Sequence, residues 1–217
     1  MIDNIFVAFR KRLEHNSWMD AESRHRALRK LENMASVVGH PSWISDANLI
    51  AKYYHTAAFE TNRYFENAAQ AEMLSMVLPL ISDADDHQTR SHLETFEGYP
   101  WALNAFHISH LVQIQINSAF LQRPLYSSRN PSEMNYGSLG MIVAHEIVHG
   151  FDSVGHSFGS QGESHSVLSP SALEKFNSLQ ECFVDQYSSQ SVMFRNGDQI
   201  SVDGQFTANE NIADNGI

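Results

Sequence analysis

Apolar residues recur at helical spacing through the first part of the chain. Ala27, Leu28, Leu31 and Met34 form one stripe, the pattern of an amphipathic helix. Asp20 is placed to cap its start, and Gly39 and Pro41 are placed to end it. The opening residues, Met1 to Arg12, are also amphipathic. A second helical stretch is predicted from Asn48 to Leu78, stopped by Pro79. Its expected core positions are Tyr53, Phe59, Tyr64, Phe65, Met73 and Val77. Near Ser82 the pattern changes. Asp83, Asp85 and Asp86 mark one loop, and Gly98 and Pro100 mark another. Two short β-like runs follow, Ala102 to Ile108 and Leu111 to Ile116. In the second, Val112, Ile114 and Ile116 alternate with Gln113, Gln115 and Asn117, the period of a half-buried strand. Pro124 and Pro131 bracket a loop. A strongly apolar helix is predicted from Leu139 to Phe151, a Gly/Ser/His-rich loop from Gly155 to Ser169, and a helix from Ser171 to Ser191. Asn196-Gly197 makes a turn, Gln199 to Val202 a short strand, and Thr207 begins a last helix. This order predicts a mainly α protein of the α-rich α+β class.

The composition narrows the function classes. With 217 residues, 42% hydrophobic and 18% charged, the chain has globular rather than disordered character. Its length suits one large domain or parts of two. The net charge of −11 repels phosphate backbones, so a nucleic-acid partner is not expected and a peptide or a cation fits better. No apolar run approaches the length of a membrane span, so no membrane contact is expected from this chain. The start lacks the apolar stretch of a signal peptide. The one cysteine, Cys182, is either a buried apolar residue or has its partner outside the chain.

The chemistry concentrates in His145-Glu146-Ile147-Val148-His149, an HExxH motif. Histidines four apart on an α-helix lie about 40° apart around its axis and one turn apart along it, so both imidazoles can reach one metal ion. Glu146 lies near the same face, where it can take a proton from a metal-activated water. With 12 histidines in the chain, a chance match is the competing explanation, and a third ligand has to decide. Glu210 and Asp214 are also four apart on a predicted helix and share one face. Glu210 can ligate zinc, and Asp214 can accept the free ring N–H of a ligating histidine. Thr207 to Glu210 also fits a capping box, in which Glu210 merely closes the helix start. Beside an HExxH, the ligand role is favoured.

At these residues the chain resembles the neprilysin and endothelin-converting-enzyme family. Asn135-Tyr-Gly-Ser-Leu-Gly-Met-Ile-Val-Ala-His-Glu-Ile-Val-His-Gly-Phe-Asp152 resembles that family's zinc-helix block, and Glu210-Asn-Ile-Ala-Asp-Asn-Gly216 its second zinc block. Asn104-Ala105-Phe106 matches the substrate-binding segment, and Trp18-Met19-Asp20-Ala21 a motif of the preceding helical region. Leu121-Gln122 and Pro124 match the stretch between strand and zinc helix. Three positions depart from the family pattern: Ala144 and Ile217 stand where glycine is usual, and Val148 where threonine is usual. None of these is a ligand.

The resemblance implies a thermolysin-like zinc-helix catalytic domain. Residues 66–217 would be its first part, and residues 1–65 would belong to the helices of the preceding lobe. It implies one Zn2+ per chain held by His145, His149 and Glu210, with Glu146 as catalytic base. Asp214, and less strongly Asp152, would stand behind a histidine. Asn104 and Ala105 would bind substrate backbone, and Phe106, Phe120, Leu125 and Ile142 are candidates for side-chain pockets, each with plain core packing as the alternative. The implied activity is cleavage of oligopeptides on the amino side of large apolar residues. Family members extend beyond both ends of the matched region. On this resemblance a partner for Cys182 and further residues assisting the reaction lie after it, and the location is extracellular or at the cell surface. The competing expectation is a zinc-binding fragment without turnover. The remaining histidines, among them His107, His110, His156 and His165, are read as surface or loop residues.

Overall fold

The computed structural model describes residues 1–55, 57–85, 96 and 98–216, without the side chains of 42, 43, 52, 53 and 75–85. The described residues fall into two compact units, Met1–Gly39 with Pro100–Ile217, and His40–Tyr99.

The first unit opens with α1 (Ile2–Glu14) and α2 (Ala21–Asn33). Asp20 caps α2 by accepting from the Ser23 backbone N–H, as its position predicts. The same carboxylate accepts from the hydroxyls of Ser169 and Ser171. These bonds, the Ser169 hydroxyl first, hold its pKa well below the ordinary carboxylate range. The helix stops at Asn33, before the expected Gly39, because Ala35–Gly39 forms an unforeseen strand, β1. The chain returns to this unit at Pro100 and forms β2 (Ala105–Ile108) and β3 (Gln113–Asn117). The sheet order is β1-β3-β2. β1 runs parallel to β3, with Ala35 beside Gln113, and β2 runs antiparallel, with Ala105 beside Ile116.

β3 departs from the half-buried expectation. All five of its residues are buried, including Gln113, Gln115 and Asn117. It is the central strand, and the Gln115 and Asn117 side chains find partners inside the fold. The Gln115 side-chain amide donates to Asn117 Oδ1 at 2.8 Å, and Asn117 Nδ2 donates to the Ala102 carbonyl at 3.2 Å.

The expected helix over 139–151 starts earlier. α5 (Ser132–Asn135) runs into a π-helical turn, Tyr136–Gly140, and then into α6 (Met141–His149). Ser138 Oγ sits 2.6 Å from the carbonyls of both Leu125 and Met134, satisfying acceptors where the regular ladder loosens. α6 buries Val143 and Ile147 completely, each stabilising by about 1.5–3 kcal/mol. They share a core with Ala27 and Leu31 of α2, Ile114 and Ile116 of β3, and Phe176. After α6 come α7 (Pro170–Ser188), capped by Ser169, an exposed hairpin of β4 (Ser191–Met193) and β5 (Gln199–Ser201), and α8 (Ala208–Gly216).

The His40–Tyr99 unit corrects the single helix expected over 48–78. It contains α3 (Ala47–Tyr53) and α4 (Tyr64–Asp85), and α4 runs past Pro79. Between them Asn62 has φ 68°, which a continuous helix cannot hold. Side chains of α4 close the connecting loop: Asn67 bonds both the N–H and the carbonyl of Glu60, and Gln70 accepts from Ala58 N–H. The expected core positions Phe59, Tyr64, Phe65 and Met73 are exposed. Among the described residues the two helices give this stripe no second apolar layer to close on. The side chains of Tyr53 and Val77 lie outside the described residues.

Candidate metal centre

Two helices build the site. α6 presents His145, Glu146 and His149, and α8 packs along it. The approach is close: a Cβ on Gly216 would meet the Val148 side chain at 2.7 Å. From α8, Glu210 Oε2 reaches 3.3 Å from His145 Nε2 and 3.6 Å from His149 Nε2. The Thr207 hydroxyl is engaged elsewhere, donating to the Asp203 carbonyl and accepting from Asn211 Nδ2. Glu210 thus faces the histidines.

Each imidazole is held from behind. His145 Nδ1 lies 2.9 Å from Asp214 Oδ1, and His149 Nδ1 lies 2.8 Å from Asp152 Oδ2. A carboxylate at Nδ1 fixes the proton there and leaves Nε2 as a lone pair. The two Nε2 atoms then face each other at 2.9 Å, and one ligand atom from each of His145, His149 and Glu210 lies within 4.8 Å of the other two. Lone pairs converging with a carboxylate oxygen repel unless a cation lies among them. Two imidazoles and one carboxylate are a donor set that suits zinc.

Glu146 is 7% exposed. Burial raises its pKa above the ordinary carboxyl value, against the pull of His149 and His145. Burial alone would lower the His149 pKa, but the hydrogen bond and charge of Asp152 outweigh it and the net shift is upward. Asp152 is itself buried, and its second oxygen accepts from the N–H groups of Val154 and Gly155 at 2.9 and 2.7 Å.

Asn104 and Ala105 stand at the start of β2, which pairs on one side only among the described strands. Asn104 is exposed and Ala105 buried, and the Asn104 side-chain oxygen accepts from Ala105 N–H at 3.0 Å. Phe120 and Ile142 pack against the hydrophobic core, while Phe106 and Leu125 are half-buried.

Several residues around the site carry no signal in sequence spacing. Asn209 Oδ1 accepts from Ser153 N–H at 3.3 Å, and Ser153 Oγ donates to Gln180 at 3.0 Å, tying the turn after α6 to both α8 and α7. Lys30 is fully buried behind that turn. His107 and His156 are not surface residues. Burial, aided by the Lys30 charge, pushes the His107 imidazole down to about 4. His156 is buried edge-on against Phe176, with Nδ1 3.2 Å from Ser166 Oγ. Both lie where α6 and its following turn meet the sheet and α7, a long-range contact that local polarity does not reveal. His110 and His165 are exposed, as expected. Cys182 is exposed, which removes the buried-apolar alternative for it.

Two profiles of peptidase family M13 match residues 104–217 and 1–41. The chain belongs to peptidase family M13. An endothelin-converting enzyme homologue of Locusta migratoria is 32% identical over the whole chain, which covers 28% of that protein. Neprilysin-1 of Caenorhabditis elegans is 30% identical, again with 28% of its length covered. The chain therefore spans under a third of the relatives it matches. A zinc metalloprotease of Mycobacterium tuberculosis, crystallised with an inhibitor, superposes on 98% of the chain with a TM-score of 0.77, at 23% identity and 31% coverage of that protein. The fold is the α-rich, thermolysin-like peptidase fold.

Proposed function

We propose that this chain carries the zinc centre of a metalloendopeptidase, binding one Zn2+ through His145 Nε2, His149 Nε2 and Glu210. The carrying observation is the convergence of both Nε2 atoms, 2.9 Å apart, with the Glu210 carboxylate. Zinc held there would supply Lewis-acid chemistry, polarising a peptide carbonyl and lowering the pKa of a water near it. Glu146 would accept a proton from the attacking water and return it to the departing amine, a role suited to a buried carboxyl with a raised pKa. Asp152 and Asp214 keep the two imidazoles in the ligating tautomer. Asn104 and Ala105 on the β2 edge hold the backbone of an extended peptide, as strand addition does. Half-buried Phe106 and Leu125, with Phe120 and Ile142, support a preference for a large apolar residue after the cleaved bond. Resemblance to neprilysin-like enzymes supports an extracellular or cell-surface setting, and a cysteine partner for Cys182 outside this chain.

A second reading has its own observation. The side chains of Glu210 and Asp214 are 65% and 61% exposed, so the described residues leave the α8 side of the site open. A zinc-binding chain without turnover fits that openness.

Zinc per chain and cleavage of a fluorogenic peptide, measured together on the parent and on Glu146→Gln, test both readings. The peptidase reading expects one zinc in each protein, with the substitution lowering kcat by at least about 100-fold. Zinc without turnover in the parent selects the second reading. A folded parent without zinc overturns both.

A further inference from the structure

Lys30 is a lysine with no exposed surface, in the middle of α2, far in sequence from the metal centre. Its Nζ donates to the carbonyls of Gly155 at 2.6 Å and Phe158 at 2.9 Å, and lies 5.7 Å over the Phe151 ring. A buried ammonium is costly unless it is well paired, and a solvated position would serve a purely helical residue better. These hydrogen bonds and the ring contact fall on residues 151–158, just after the zinc helix.

Gly155 is the junction. Its carbonyl accepts from Lys30, and its N–H donates to Asp152 Oδ1 at 2.7 Å. Asp152 Oδ2 in turn holds His149 Nδ1 at 2.8 Å. There is no slack in this line. A Cβ on Gly155 would come within 2.0 Å of the His149 carbonyl oxygen, so the turn is pressed against the end of α6. The charges are coupled as well: burial pushes the Lys30 pKa down to about 8, and the nearby Asp152 and Glu163 carboxylates oppose that shift.

We propose that Lys30 is a positioning residue for the metal centre, acting through Gly155 and Asp152 to fix the ring of His149. Resting on the zinc reading above, this assigns α2 a part in metal affinity, and not only in the core. Groups that orient a ligating histidine typically contribute about 10–100-fold to metal affinity. Lys30 stands beyond Asp152 with Gly155 between them, so its loss should give the lower end of that range, about tenfold.

The test is zinc affinity, read by competition with a chromophoric chelator near neutral pH. It compares the parent chain, Lys30→Met, Asp152→Asn and the double variant, each checked for a cooperative unfolding transition. Lys30→Met should weaken zinc binding about tenfold, and the double variant should bind no more than about threefold worse than Asp152→Asn alone, because both act on one ring. A folded Lys30→Met within about twofold of the parent, or losses that multiply in the double variant, would overturn the proposal. Should Lys30→Met fail to fold, amide exchange in the unsubstituted chain decides. Zinc should slow exchange at Val154 and Gly155 by about tenfold, since it locks the same line of contacts; unchanged exchange overturns the proposal. A parent that takes up no zinc overturns the zinc reading and Lys30's role together, whereas a zinc-binding parent beside an unaffected variant overturns only the role of Lys30.

Discussion

The two histidines are held by carboxylates at nearly equal distances, yet the two supports are built differently. Asp152 is three residues from His149, its side chain 6% exposed, and its other oxygen is occupied by two backbone N–H groups. Asp214 reaches His145 from another helix, 69 positions along the chain, with its side chain 61% exposed. The first support is made by one tight turn in a low-dielectric setting, where a hydrogen bond is strong and hard to displace. The second exists only while α8 stays docked on α6, and water competes for it. Bond length alone would call them equivalent. Burial and chain connectivity separate them.

The comparison can be broken by substitution. Asp152→Asn should weaken zinc binding by about 100-fold and Asp214→Asn by about tenfold, the upper and lower ends of what such orienting groups contribute. Chelator competition measures both, and equal losses would end the distinction.

Acid should act on the buried side. The His107 ring lies against the end of α6, its Cε1 3.0 Å from where a Cβ on Gly150 would sit. Its two shielded nitrogens have no well-aligned hydrogen-bond partner among the described residues. Its imidazole titrates near 4 when folded and near 6.5 when unfolded. Between those values the unfolded chain binds more protons, so stability is present above pH of about 6.5 and is lost as pH falls towards 4. Urea unfolding of the parent should show a loss over that window that His107→Phe lacks, on the order of 1–2 kcal/mol. Superimposable pH profiles would count against a neutral, buried His107.

The exposed side should respond to its docking contact. Asn209→Ala removes the acceptor for Ser153 N–H, a loss of about 1 kcal/mol, and should weaken zinc binding about fivefold through Glu210. Isothermal titration would resolve that change. The smallest effect is salt. Raising ionic strength to about 0.5 M should shrink the Asp214→Asn penalty by about twofold and leave the Asp152→Asn penalty unchanged, because screening acts on solvated charges.

The parts of the site that sequence makes legible are those written at helical spacing. His145 and His149, and Glu210 and Asp214, are local pairs, so one turn of helix brings each pair onto one face. Asp152 is different: only the family resemblance points to it, and its bond to His149 comes from the tight turn after α6. Lys30, His107 and Asn209 are not readable in this way. Their environments come from α2, β2 and α8 meeting the end of α6, contacts between distant segments that no local period encodes. The strand at Ala35–Gly39 is hidden likewise, since its partner lies beyond the whole His40–Tyr99 unit. The buried amides of β3 show that alternation reports chemistry before burial. The misread helix over 48–78 shows that an apolar stripe can run across a break that Asn62 imposes.

That parallel pairing of Ala35 with Gln113 also bears on how fast the molecule can assemble. The strand pair closes a loop containing the entire His40–Tyr99 unit, so its entropy cost falls before most of its contacts reward it. Pairing of β2 with β3, by contrast, closes only the short stretch around Ser109–Leu111. The antiparallel hairpin should therefore form early, and closure of β1 onto it should be the rate-limiting step. Replacing His40–Tyr99 by a shorter linker should lower the closure cost by about 0.6 kcal/mol for each halving of length, and the gain should surface in the folding rate rather than in the unfolding rate.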